Sequence, residues 1–311
     1  MNGLLVIDKP AGPTSHDIVA AMRRTLGESR IGHTGTLDPS ASGVLPLVLG
    51  AATRLARFLS AHDKSYDATI RLGAETDTYD ADGRIVGAAW TGGWPDRTTI
   101  DRALERFHGT FLQAPPAFSA KRLLGTRSHR LARRRARGDA DVDRTLPEAV
   151  PVTATRLELL DQTGSDIVVR VDCSAGFYVR ALAYDLGRAL GTGAHLLALR
   201  RTRSGSLTLS QSVPFSTVVS DRAAAAAHVV PMSSMLPDLP TVHLTGTGVR
   251  YATHGRDLGP SEWVGGAAVA ELVPASGRVR LIRLVNEEGD LIGLASPGSD
   301  AGLLHPSVVL K

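Results

Sequence analysis

Cysteine is nearly absent: Cys173 is the only one in a chain of 311 residues. An intrachain disulfide and a cysteine-rich zinc site are therefore excluded, and a lone thiol fits a reducing compartment. Cys173 lies in an apolar stretch with no basic neighbour in sequence, the setting of a core residue rather than a nucleophile. Long apolar runs are missing too; none approaches the roughly 20 residues of a membrane span. The opening Met1-Asn2-Gly3-Leu4-Leu5-Val6-Ile7-Asp8-Lys9-Pro10 has neither the basic start nor the apolar length of a signal peptide. The expectation is a soluble, cytoplasmic protein. Phosphate-loop (GxxxxGKS/T) and HExxH motifs do not occur. Gly246-Thr247-Gly248 lacks the third glycine of a dinucleotide fingerprint, Tyr251 standing in its place. The acidic stretch Glu75–Gly83 fails the calcium-loop pattern, because Ala89 falls where the bidentate Glu belongs. Asp82-Gly83 reads instead as a hairpin turn.

What is present is an ordinary globular composition, 43% apolar and 21% charged. At roughly 150 residues per domain, the length suggests about two domains. Leu4–Asp8 reads as a strand. Ser15 is the expected N-cap of a helix carrying Ile18, Val19, Met22 and Leu26, which Gly27 stops. Gly32–Gly43 is loop by composition, Val44–Leu49 apolar, Thr53–Ser60 helical and Ala68–Leu72 a strand. Thr98 with Asp101 starts a helix that Gly109 ends. Pro151–Leu160 and Asp166–Cys173 form a hairpin about Thr163-Gly164-Ser165. Phe177–Leu190 is a helix, Leu207–Ser212 a strand and Ala223–Ala227 helical. Pro231, Pro237 and Pro240 punctuate a linker, and short apolar runs between turns from Thr241 onward predict a small β-rich unit. Helices and strands mingle without regular βαβ alternation, so the fold class expected is α+β.

Net charge is only +4, but its distribution is uneven. Between Ser119 and Arg137 lie Lys121, Arg122, Arg127, Arg130, Arg133, Arg134, Arg135 and Arg137, with no acidic residue among them. Such a block is an electrostatic footprint for a polyanion, or a solvated basic helix face. Asp38 sits in a loop of small residues, Gly35 to Gly43, and Pro39 biases it toward extended backbone. It reads as a nucleophile or charge stabiliser, or as an Asx-turn. Tyr178-Val179-Arg180 follows a strand ending in Ser-Ala-Gly, where Arg180 could pair with a carboxylate or lie on the surface. His33 between two glycines and Tyr66 at a strand start have equally plain structural readings.

Taken together, these stretches resemble the bacterial TruB family, the tRNA pseudouridine-55 synthases. The resemblance is carried by Asp8-Lys9-Pro10-Ala11-Gly12-Pro13-Thr14-Ser15 and by Gly32-His33-Thr34-Gly35-Thr36-Leu37-Asp38-Pro39-Ser40-Ala41-Ser42-Gly43-Val44-Leu45. Lys64-Ser65-Tyr66 follows, then Thr76-Asp77-Thr78 with Asp80-Ala81-Asp82-Gly83, Cys173 through Arg180, and Leu199-Arg200-Arg201-Thr202-Arg203-Ser204-Gly205. The resemblance implies a mixed, largely antiparallel central sheet flanked by helices with a catalytic cleft. It implies a catalytic domain over 1–235, with a basic thumb insert at 115–150, and a PUA-like RNA-binding domain over 240–311. It implies Asp38 as the catalytic aspartate with Arg180 paired to it. Tyr66 would pack on the target uracil and assist proton transfer. Tyr178 and Leu199 would line the uracil pocket, and His33 would fill the gap left by the flipped base. RNA contact falls to Lys9, Lys64, Lys121, Arg122, Arg133, Arg134 and Arg135. Phe118, Arg122, His129 and Ala175 depart from the usual pattern, and all lie away from the catalytic positions.

The implied reaction breaks N1–C1′ of one uridine in the T-arm loop of tRNA, turns the base and joins C5 to C1′. It calls for no metal and no cofactor, and the family works as a monomer without a protein partner. Three roles for Asp38 stay open: attack on C1′, attack on C6, or help in removing the ribose 2′ proton, the last being the most economical. A non-catalytic RNA-folding protein and a synthase acting in a guide-RNA complex are the competing readings. If four to six phosphates are contacted, log K for RNA against log salt should fall with a slope of roughly −3 to −5. A filter-binding titration checks this, and a slope near zero contradicts every RNA reading.

Overall fold

The computed structural model describes residues 1–117, 122–123, 126–127, 148–265, 281–298, 300 and 302–310. Strands β1 (Gly3–Lys9), β2 (Ile31–His33), β3 (Ser42–Leu49) and β4 (Lys64–Leu72) come first. The small hairpin β5 (Glu75–Thr76) and β6 (Ile85–Val86) follows, then β7 (Gly109–Gln113). A two-stranded piece, β8 (Arg122–Leu123) with β9 (Thr126–Arg127), precedes the long pair β10 (Val150–Thr163) and β11 (Asp166–Cys173). Next are β12 (Ala194–Ser204), β13 (Leu207–Thr208) and β14 (Val213–Pro214). A C-terminal set follows: β15 (Thr241–His243), β16 (Ile282–Val285), β17 (Leu291–Pro297) and β18 (Leu304–Val309).

Among the described residues the main sheet runs β14-β1-β3-β12-β4-β11-β10-β7, with β2 against β3 and β13 against β12. Within it, only β1–β14 and β3–β12 pair in parallel; in the C-terminal sheet β15 pairs with β16 in parallel. The main sheet is thus mixed and largely antiparallel, and the class is α+β. No helix among the described residues is long and apolar enough to cross a membrane.

The apolar runs of β1 and β3 lack the alternation of a half-buried strand because both their faces are covered. Leu5, Ile7, Leu45 and Leu47 face the helical side, packing with Ile18, Met22, Leu26, Leu182 and Leu186. Leu4, Val6, Val44 and Val48 face the other side, where Val285, Leu291, Leu294, Val308 and Leu310 of the C-terminal sheet meet them. The C-terminal sheet also has its own core, Leu244, Trp263, Ile282, Leu284 and Leu304 among it.

The first helix is Ser15–Leu26, but its N-cap is Thr14 rather than Ser15. The Thr14 side chain accepts from Asp17 N–H, and the Asp17 carboxylate accepts from Thr14 N–H. This capping box leaves the Ser15 hydroxyl free for another task. Gly27 ends the helix in the left-handed conformation at φ 64°, as expected. The helix Arg97–Glu105 starts one residue earlier than Thr98, because Asp96 caps it through Thr99 N–H. The strand expected over Leu207–Ser212 stops at Thr208, where a short 3-10 turn takes over. A helix at Gly246–Thr253, capped by Thr245, was not foreseen. Two glycines in eight residues argue against helix by propensity, and the cap and the burial of Ala252 outweigh them.

The parallel junction of β3 with β12 places Gly43 opposite Arg201. Gly43 has φ +102°, and a Cβ there would lie 2.1 Å from the Arg201 carbonyl oxygen. Gly43→Ala should therefore cost on the order of 2 kcal/mol or more. Thermal denaturation checks it: the midpoint should fall by several degrees, and an unchanged midpoint would mean the two strands part freely.

Candidate active site

The loop between β2 and β3 carries Asp38, and it has few backbone partners. Gly12 N–H donates to the Pro39 carbonyl at 2.8 Å, and Ala41 N–H donates to that of Asp38 at 3.1 Å. The carbonyls of Gly35, Thr36, Leu37 and Ala41 are met by buried side chains from three different elements. From the first helix, Ser15 Oγ donates to Leu37 O at 2.9 Å and accepts from Leu37 N–H at 2.8 Å. At the end of β1, Lys9 Nζ donates to Ala41 O at 2.6 Å, Pro10 O at 2.9 Å and Pro39 O at 3.2 Å. On β12, Arg201 Nη2 donates to Gly35 O at 3.0 Å and Nη1 to Thr36 O at 3.5 Å, while its Nε holds Val44 O at 2.7 Å. Lys9 and Arg201 are respectively 0% and 1% exposed. Buried charges of this kind are tolerable only when every donor is used.

Asp38 itself remains accessible. Arg180 Nε lies 3.0 Å from its carboxylate, and Arg180 Nη1 lies 3.4 Å from that of Asp80. Arg180 Nη1 also donates to Thr78 O at 3.2 Å. Arg180 is buried, whereas the Asp38 side chain is 40% exposed. One guanidinium thus spans two carboxylates, Asp38 the more exposed of them and Asp80 largely buried. Arg180 occupies the first turn of the helix Val179–Leu190. The backbone just before it is bracketed by Gln113, whose Oε1 accepts from Tyr178 N–H at 2.8 Å and whose Nε2 donates to Tyr178 O at 3.1 Å.

Asp80 reaches Arg180 because its loop is sewn onto β12. Leu196 N–H donates to Tyr79 O at 3.0 Å, and Ala81 N–H donates to Leu196 O at 2.9 Å. β12 bulges between Leu196 and Ala198, just past that stitch. Tyr79 pays for the arrangement with a left-handed backbone, φ 65°, a strain of about 1–3 kcal/mol for a non-glycine residue.

Asp38, Ser40, Ala41, Asp80, Arg180 and Leu196–Leu199 line a narrow slot of about 10 Å³, room for about one water. Leu199 is therefore in the site. A larger groove of about 390 Å³, between the Arg97–Glu105 helix and β10, shares none of these residues. Tyr66, on β4 opposite Arg201, is buried, and that burial pushes its phenol pKa up. It stays neutral and does not line the slot. Tyr178 is two residues before Arg180, with its ring outside the slot lining. His33 closes β2; burial above all, then the charges of Arg201 and His16, draws its imidazole pKa down. Its Nδ1 and the neighbouring Thr34 Oγ1 are buried without a partner.

Two expectations are corrected. Lys9 and Lys64 were assigned to RNA contact, yet both are buried and spend their donors internally. Lys9 holds the Asp38 loop, and Lys64 Nζ donates to Ser60 O at 2.6 Å and to His62 O. Lys121, Arg133, Arg134 and Arg135 lie outside the described residues, as does the side chain of Arg122. Sequence reasoning missed Asp80, Ser15, Gln113 and Arg201. Asp80 had a signal, the acidic loop, but that loop was weighed as a calcium site, a hairpin turn and part of the family motif, with no role for Asp80 at Arg180. Arg201 had none, since it sits in the basic run Arg200-Arg201-Thr202-Arg203. Its neighbour Arg200 points the other way and pairs with Asp8 at 2.8 Å, since successive strand residues face opposite sides.

Two family models match the chain: TruB family pseudouridylate synthase (N terminal domain) over residues 23–179, and tRNA pseudouridylate synthase B C-terminal domain over residues 180–237. The tRNA pseudouridine synthase B of Solibacter usitatus (strain Ellin6076) is 38% identical over 318 residues, covering 100% of each chain. That of Gloeobacter violaceus (strain ATCC 29082 / PCC 7421) is 44% identical over 245 residues, 78% of this chain and 82% of its own. Among solved structures, a chain of a Cbf5-Nop10-Gar1 complex superposes with a TM-score of 0.72 at 26% identity, covering 99% of this chain and 85% of that one. A chain of an H/ACA RNP bound to a substrate RNA containing 2′-deoxyuridine gives 0.71 at 26% identity, with the same coverage.

Burial, partly countered by Asp38 and reinforced by Arg201, brings Lys9 from 10.5 down to about 8. A group whose folded pKa is depressed binds fewer protons in the folded state between those two values. Its contribution to stability is present above about 10.5 and lost as pH falls through about 8. Unfolding by urea at pH 7.5 to 10 checks this. The stability difference between wild type and Lys9→Met should widen as pH rises, and a constant difference would show that Lys9 does not titrate in this range.

Proposed function

The chain belongs to the TruB family of pseudouridylate synthases, and from that premise we propose that it isomerises uridine 55 in the T-arm loop of tRNA. The observation that carries the reading is the Asp38 carboxylate, exposed and held at 3.0 Å by a buried arginine on a loop whose carbonyls are tied down. Such fixed charge is what a reaction needs when charge develops at one place and must not be met by moving solvent.

In this reading the target base leaves the RNA stack, at a cost of a few kcal/mol. His33 fills the space it vacates. The uracil then lies above the slot against Asp38, with Leu199 as a wall; Tyr66 and Tyr178, which lie outside the slot lining, could reach the base only once it is bound. Asp38 takes the ribose 2′ proton as the N1–C1′ electron pair departs with the base, leaving a C1′=C2′ bond. The detached uracil carries the negative charge beside Arg180. It turns, C5 bonds to C1′ as C2′ regains a proton, and the C5 hydrogen is lost while N1 gains one. Atoms and charge balance, and the product is an isomer of the substrate. The arginine-rich 115–150 segment supplies phosphate contacts that offset the cost of flipping. Residues 1–235 form the catalytic domain, and 240–311 a PUA-like RNA-binding domain. The named relatives support a stand-alone enzyme over a guide-RNA subunit. They are 38% identical over the full chain and 44% identical over 78% of it, against 26% for the ribonucleoprotein neighbours.

The test is tritium release from an unmodified tRNA transcript labelled at uracil C5. Wild type should free one equivalent per tRNA to water, and Asp38→Asn should lower the rate by 10²–10³ or more, to judge from the loss of a key electrostatic group. An Asp38→Asn rate above about a tenth of wild type would remove Asp38 from the chemistry. Tight RNA binding with no release by wild type would turn the reading to an RNA-folding protein.

A further inference from the structure

The loop that delivers Asp80 contains a residue whose conformation needs an explanation. Tyr79 stands between Thr78, whose carbonyl accepts from Arg180 Nη1 at 3.2 Å, and Asp80, 3.4 Å from the same nitrogen. Its backbone is left-handed at φ 65°, a region that tyrosine avoids, and one other non-glycine residue among those described, Leu236, shares it. Strain of this kind persists only where the surroundings over-determine the residue. Hydrogen bonds within the turn, Tyr79 N–H to Thr76 O at 3.2 Å and Thr76 Oγ1 to Asp80 O at 2.7 Å, are joined here by two restraints from outside it. The main chain is sewn to Leu196 on β12. The side chain lies flat on Tyr184, with ring centroids 4.0 Å apart and planes 16° from parallel.

Tyr184 is one helical turn beyond Arg180 on the same helix, so both side chains share a face. A further turn along, Arg188 Nη1 donates to Tyr184 Oη at 2.9 Å, and its guanidinium lies 5.6 Å from the ring centroid. Arg188 fixes Tyr184, Tyr184 seats Tyr79, and Tyr79 sets the backbone on either side of it. The residues on either side, Thr78 and Asp80, both hold Arg180, as Asp38 does. A ring that slips from the stack leaves the turn closed by its own hydrogen bonds but removes a contact that anchors it to the helix carrying Arg180.

We propose that Tyr79 and Tyr184 are positioning residues for the isomerisation: their stack holds Thr78–Asp80 against Arg180 and so fixes how Arg180 presents Asp38. Neither ring lines the slot. They act through the Arg180 pairing, and the inference rests on the role given to Asp38 above.

The experiment is single-turnover tritium release from the C5-labelled tRNA transcript, with RNA affinity and thermal midpoint measured alongside. Tyr184→Ala should slow the turnover step about tenfold, since small misplacements of a reacting group cost this much or more. RNA affinity and fold should be preserved, and Tyr184→Phe, which keeps the ring, should recover most of the rate. The decisive readout is a double-mutant cycle: in an Asp80→Asn background the Tyr184→Ala step should cost little, because the pairing it serves is already gone. Should Tyr184→Ala fail to fold, Tyr79→Asn carries the same cycle, asparagine tolerating the left-handed backbone. Equal rate losses in both backgrounds, or an undiminished Tyr184→Ala rate, would overturn the inference alone. A wild-type protein that releases no tritium overturns the activity and the inference with it.

Discussion

The Asp38 loop has carbonyl groups that no strand or helix satisfies. A buried carbonyl without a partner costs about as much as a lost hydrogen bond, so the protein brings donors to it. Lys9 comes from the end of β1, Ser15 from the first helix and Arg201 from β12. Much else follows from that convergence. The three elements must meet at one point, which is where β3 and β12 pair in parallel and where Gly43 lets them approach. The helix must be capped by Thr14, so that Ser15 can face inward. Two cations must be buried, so their donors must all be spent.

The charge arrangement around the loop is lopsided. Lys9, Lys64 and Arg201 are buried on backbone carbonyls rather than on carboxylates. Above them, Arg180 is shared between Asp38 and Asp80. The surroundings of Asp38 therefore lean positive while its own carboxylate stays accessible. In the proposed reaction negative charge moves from the carboxylate to the departing base and back, and a fixed positive environment serves both ends without reorganising. The preorganisation is expensive in desolvation, which is why the loop has so little freedom left.

The C-terminal sheet plays a part in this economy of support. It covers the face of β1 and β3 opposite the helices, with Val285, Leu294 and Val308 against Val6 and Val48. Those two strands flank the Asp38 loop and supply Lys9 and Gly43. The C-terminal sheet thus backs the part of the main sheet on which the site is built.

Much was legible in the sequence by itself: the α+β class, the first helix and its stop at Gly27, the hairpin about Gly164, the small β-rich end, and Asp38 with Arg180 as a pair to look for. Local signals determine the elements, since caps, turns and apolar periodicity are read within a few residues, whereas the pairing of Asp38 with Arg180 came from the family resemblance. Lys9 and Lys64 show the limit of that reading, because a lysine looks basic in sequence whether its ammonium faces solvent or three carbonyls. Arg200 and Arg201 show it again, adjacent in the chain and on opposite faces of one strand. Only the tertiary structure decided which charge was buried, which hydroxyl capped a helix and which pinned a loop, and that an acidic stretch 100 residues away would close on Arg180. Those outcomes depend on burial and on partners distant in sequence, and local pattern holds no record of either.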